Sequence, residues 1–192
     1  MSPEGSSVTT SSGVRNSDPD LSLSSLLKHA VVDAKEKAFG RLEDVIVRLR
    51  DDDYPLLTGL VIGVGGSRIF VSVSDVATID AGSIRLRTAK LDLRPFERRD
   101  GEVLLKQDVL GNRLIDVAHS ALVKAYDVRL KATGQGWMAV GLDVHKHSWF
   151  SFGAHEHHPA RDWHGFVLLI GGQKPLKGLS ASRWIGRLKP AQ

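Results

Sequence analysis

Six of the eight histidines fall close together, at His145, His147, His155, His157, His158 and His164. His-x-His followed by His-Glu-His-His sets imidazoles at alternate positions. On an extended chain these share a face, which suits a transition metal such as zinc or nickel. The spacing does not match His-Glu-x-x-His, and the chain has no cysteine, so thiolate sites and disulfides are excluded. The candidate metal ligands are therefore His145, His147, His155, His157 and His158. The competing reading is a polar, pH-responsive loop, because imidazoles titrate near neutrality and repel one another once charged.

Other chemistry-bearing runs read more simply. Asp51, Asp52 and Asp53 offer oxygen ligands for a hard cation, but three consecutive residues cannot all face one ion from an extended chain, so a solvated turn before Tyr54-Pro55 is expected. Gly63-Val64-Gly65-Gly66 lacks the helix and Lys-Ser/Thr that a phosphate loop needs, and reads as a hairpin. The serines cluster in an N-terminal stretch unsuited to a buried nucleophile, and no nucleophile, base and orienting acid come together in the sequence. The expectation is a non-enzymatic protein without a cofactor of its own.

These residues must be held by short β elements. Residues 1–24 are rich in Ser, Thr, Asp, Gly and Pro and read as a disordered leader. From Leu26 onward, runs of Val, Ile and Leu are broken about every eight to twelve residues by Gly, Asp or Pro, the rhythm of small barrels. Leu26 to Val32 reads as a strand, Val45, Val47 and Leu49 alternate with charged neighbours, and Leu56 to Val64 reads as a strand buried on both faces.

The unit recurs. GRLEDVIVRL at 40–49 is echoed by NRLIDV and then YDVRL within 112–130, which sets Arg41 and Asp44 against Arg113 and Asp116; TGLVIGV at 58–64 is echoed by VGLDV at 140–144. A repeat this long means two copies of a small domain. Asp44 and Asp116 are expected to serve as structural acceptors for turn amides. The boundary is expected near Arg94 to Asp100, giving units 25–97 and 101–170 and a basic tail at 171–192.

Composition narrows the function. The chain has 192 residues, 42% hydrophobic, with 26 Lys+Arg against 22 Asp+Glu, an excess too weak to mark a nucleic-acid protein. Apolar runs such as Phe166 to Ile170 fall far short of the roughly 18–20 residues that span a bilayer, and no basic-plus-apolar signal opens the chain. A cytoplasmic protein is expected. Of the tryptophans, Trp163 is assigned to the core with Phe166, and Trp184 to an interface.

The phrases FGRLEDVIVRL and PLLTGLVIGVGGSRIFVSVSDVATI resemble the PRC-barrel pattern. EVLLKQDVLGNRLIDV is similar to the junction between paired PRC-like units ahead of the intracellular domain of MgtE-like magnesium transporters, and SRWIGRLKPAQ resembles the start of that domain. The resemblance implies a mainly β fold of two tandem small PRC-type barrels and a regulatory, non-catalytic role at the inner face of the membrane. The partner would be a protein, either transporter domains or another cytoplasmic protein, with a homodimer as a further option and nucleic acid not expected. Mg2+ would belong to the wider transporter. PRC-like barrels also occur in the ribosome-maturation protein RimM, which leaves an RNA- or ribosome-associated module and a freestanding adaptor as alternatives.

Overall fold

The computed structural model describes residues 20–80, 82–88, 96–144 and 160–169. The chain is mainly β. The first half runs β1 (Asp20–Ser22), a helical turn α1 (Leu23–Leu26), β2 (Ala30–Val32), β3 (Ala38–Arg48), β4 (Leu56–Val64), β5 (Ser67–Ser72), β6 (Val76–Ile79) and β7 (Ser83–Leu86). The second runs β8 (Glu102–Leu104), a π-helical turn (Leu105–Val109), β9 (Arg113–Asp116), β10 (Ala121–Lys124), β11 (Asp127–Thr133), β12 (Gly136–Asp143), β13 (Arg161–Asp162) and β14 (Phe166–Leu168). No helix among the described residues is long and apolar enough to cross a membrane.

Eleven strands share one curled sheet. Its main order is β1-β11-β12-β4-β3-β2-β7-β6, with β13 beside β12, β5 beside β4 and β8 beside β3; β10, β9 and β14 make a second, small sheet. The halves join where β4 meets β12, with Leu56 opposite Met138 and the Ala139 amide donating to the Pro55 carbonyl at 3.0 Å.

The pattern of β3 shows how sequence sets the faces. Leu42, Val45 and Val47 all enter the main core, although the first two are three positions apart. A register shift between Leu42 and Asp44 leaves Glu43 as an extra residue and restores the alternation, as a β-bulge does. Asp44 and Ile46 therefore take the opposite face, where Ile46, Val61 and Leu104 pack with Phe70 and Phe96. The β4–β5 hairpin closes through Gly65 (φ 55°) and Gly66 (φ 86°), positive angles that favour glycine.

Three boundaries differ from expectation. Residues 20–24 are part of the fold: Leu21 lies opposite Leu130, and Leu23 and Leu26 are fully buried. Leu26 to Val32 is not one strand: Leu26 ends the helical turn, which the Ser22 side chain caps by accepting from the Ser25 amide, and only Ala30–Val32 is extended. The core also does not divide near residue 97: one cluster takes Val31, Val45 and Leu60 together with Leu105, Val128, Leu142 and Trp163.

The two halves do follow one plan, in a different register from RLxDV. Asp33 accepts from the Lys35 and Lys37 amides after β2, and Asp116 accepts from the His119 amide after β9. Asp44 accepts from its neighbour Val45 at 2.8 Å, and Asp127 accepts from Val128 at 2.8 Å. A register shift falls between Ile46 and Val47, and again between Arg129 and Leu130. Ser72 opens a 3-10 turn at Val73–Asp75, and Asp162 opens one at Trp163–Gly165. The offset is 83 positions from Asp33 to Asp116 and from Asp44 to Asp127, and 90 from Ser72 to Asp162, after the longer β12–β13 connection. Asp44 and Asp116 are therefore not equivalent. Arg41 and Arg113 are not either, since Arg41 lies in β3 opposite Ala30 and Arg113 lies in β9 opposite Lys124.

A methyl group at Gly40 would sit 2.6 Å from the Gly63 carbonyl oxygen, a backbone atom that cannot step aside. Gly40→Ala is expected to lower the unfolding free energy by about 1–3 kcal/mol in urea titrations. Gly134→Ala, which meets nothing within 4 Å, serves as the control and should stay within about 0.5 kcal/mol of the parent.

Candidate functional site

Two groups of polar side chains flank β13, at the point where the chain returns from residues 145–159. On one side Asp116, only 2% exposed, takes both guanidinium nitrogens of Arg161. It also meets His119 Nδ1 at 2.9 Å. On the other side Asp162 accepts from the Tyr54 hydroxyl and the His164 amide and lies 3.0 Å from His164 Nδ1. The Tyr54 and His164 rings are 4.4 Å apart between centroids.

Local structure sets these positions. Asp116 ends β9, so its side chain both caps the following turn and faces β13. Arg161 and Asp162 are fixed by pairing with Leu142 and Gly141 of β12. Gly141 is required there, since a Cβ would lie 2.9 Å from the Arg161 carbonyl oxygen. The Arg161 guanidinium also lies 5.0 Å from the centroid of the buried Phe166 ring, a cation–π arrangement. Tyr54 is held by Arg50, which donates to its carbonyl at 3.0 and 2.9 Å and pairs with Asp53 at 2.8 Å. The triple acid is thus a turn clamped by an arginine.

The electrostatics follow from these contacts. Arg161 beside Asp116 outweighs the cost of burial and, with His119, holds the carboxyl at about 2. For Asp162 burial is the largest influence and pushes upward, but the Tyr54 hydroxyl and the His164 amide and ring together bring it below the usual carboxylate range. The same hydrogen bond raises the Tyr54 phenol. Both carboxylates are saturated with donors, so they serve as anchors for β13 and are poorly suited to take a proton from a substrate near neutrality.

A second kind of carboxylate lies between the halves. Asp44, 1% exposed, accepts from the Lys106 amide at 2.7 Å and the Gln107 amide at 3.0 Å, across the π-helical turn that leads into the second half. Burial raises its carboxyl above the ordinary value despite these amides. Its true counterpart Asp127 accepts from the Ser24 amide at 3.0 Å and from the Ser24 hydroxyl, in the turn that leads into the first half.

His145, His147, His155, His157, His158 and Trp184 lie outside the described residues. Among the described residues no group of three or more His, Asp or Glu side chains is placed to hold a metal ion. Trp163 is buried as expected, with Phe166 beside it in the core. Sequence reasoning missed Asp127, although the phrase YDVRL beside EDVIVRL carried the signal. Arg161 and His119 had no such signal, because only the fold brings them to Asp116. No family model matches the chain, and no curated protein matches it.

Because the folded-state carboxyl of Asp116 is depressed from 3.8 to about 2, its stabilisation is present above the unfolded value and is lost as pH falls toward 2. Asp116→Asn is expected to cost about 1.5–3 kcal/mol at pH 7 and to flatten the acid limb of the stability curve between about pH 4 and 2. Thermal melts across pH measure both; an unchanged acid limb would show that the ion pair does not form in solution.

Proposed function

We propose that the chain is a non-catalytic regulatory and interaction module of an MgtE-like magnesium transporter, made of two tandem small PRC-type β-barrels and working at the cytoplasmic face of the membrane. The observation that supports this reading is the use made of the repeated carboxylates. Asp33, Asp44, Asp116 and Asp127 all accept from backbone amides, at matching positions of two halves, and so act as framework.

Such a module works by differential contact. A rigid two-unit body that touches one conformation of its partner better than another shifts the balance between them by the difference in contact energy, and by no other route. Here the halves share one core and one sheet, so a contact at one half is carried to the other without a hinge between them. The basic tail with Trp184 supplies the docking end, where the phrase SRWIGRLKPAQ resembles the start of the transporter's intracellular domain.

Titration calorimetry tests this reading. The chain is expected to bind the purified cytoplasmic N-domain and CBS region of an MgtE-like transporter with affinities that differ at least about fivefold with and without Mg2+. Absence of binding in both conditions would remove the transporter reading. Salt-sensitive binding to ribosomal RNA in the same format would replace it with the RimM-like alternative.

A further inference from the structure

Each half of the molecule sends its opening segment into the other half. In the first half, β1 pairs with β11 of the second, Leu21 opposite Leu130 and Ser22 opposite Arg129, and the turn that follows is gripped by Asp127 through Ser24. In the second half, β8 pairs with β3 of the first, Val103 opposite Val47 and Leu104 opposite Ile46, and the turn that follows is gripped by Asp44 through Lys106 and Gln107. The strand, the turn and the carboxylate recur on both sides, and Ile46 and Arg129 occupy the same step of the repeat. Leu23 and Leu26 from one lead-in and Leu105 and Val109 from the other are all buried in the shared core.

We propose that this exchange makes the chain an internal pseudo-dimer, whose halves recognise each other through a self-complementary surface and assemble even when carried on separate polypeptides. The partner that fits the surface is a complementary half of this same chain, presenting a short strand, a one-turn lead-in and two buried leucine-type side chains. A two-fold interface places one patch against its own copy, so that each contact occurs twice. The two lead-ins reproduce that relation within one polypeptide, with the β4–β12 joint between them. The contacts named above hold the halves without the covalent connection between them, which would add only local concentration.

The test uses the full chain with a protease site placed within residues 89–95 and cut after folding. Size exclusion with light scattering is expected to give one species of unchanged mass holding both fragments. Mixing cut protein with isotopically labelled cut protein, unfolding in urea and diluting should give hybrid complexes by native mass spectrometry. Asp127→Ala in the cut protein is expected to raise the dissociation constant of the fragments about tenfold or more, from loss of the bonds to Ser24. Asp127→Asn keeps an acceptor for the Ser24 amide and should restore most of the affinity, which separates loss of the grip from loss of folding. Fragments that separate on cutting, or that fail to recombine, overturn the proposal, as does an Asp127→Ala complex as tight as the parent. The outcome is independent of which protein the module serves, so its failure leaves the transporter reading standing.

Discussion

The fold depends on a carboxylate buried against backbone amides that come from far along the chain. Asp44 is removed from water and its charge is opposed by that burial, yet three amides, from Val45, Lys106 and Gln107, converge on its two oxygens. A carboxylate that accepts several N–H bonds can persist in such a place, whereas one left with fewer donors would have to take up a proton or draw in water. The requirement runs both ways, because the first turn of a helical segment leaves amides without partners. Asp44 satisfies the turn at Leu105–Val109, and Asp127 does the same for Ser24. The path of the chain between the halves is thereby fixed at two places related by the repeat.

The second set of carboxylates has a different task. Asp116 grips Arg161 and Asp162 grips Tyr54 and His164, and together these bonds hold the two-residue strand β13 where it pairs with β12. The first half uses a two-glycine turn at the matching hairpin, Gly65-Gly66, so its return strand follows directly and needs no such anchors. Where the second half inserts residues 144–160 between the paired strands, ionic and aromatic contacts to Arg161, Phe166, Tyr54 and His164 take over the work of the tight turn.

Much of this architecture was legible in the sequence. The mainly β character, the Gly65-Gly66 hairpin, the existence of a repeat and the buried Trp163 all follow from composition, spacing and apolar alternation, which are local signals. The register of the repeat was misread because RLxDV matches at Arg113-Leu114-Ile115-Asp116, a resemblance of letters on strands with different neighbours. The phrase shared by Asp44-Val45 and Asp127-Val128 was shorter than the RLxDV match and so gave the weaker signal. The ordering of residues 20–24 was missed for a related reason. Ser and Asp read as solvent-facing until a partner half supplies a sheet edge and a carboxylate, and no window of sequence contains that partner.

The exchanged lead-ins also carry a consequence for biosynthesis. Ser24 and Asp127 are 103 residues apart. At translation rates of about 5–20 residues per second, the opening turn waits roughly 5–20 s before its acceptor has even been made. Through that interval Leu21, Leu23 and Leu26 have no completed surface to cover them, so the nascent first half cannot reach its final form until β11 of the second half has been made. The N-terminal lead-in, first to be synthesised, is among the last segments to find its place.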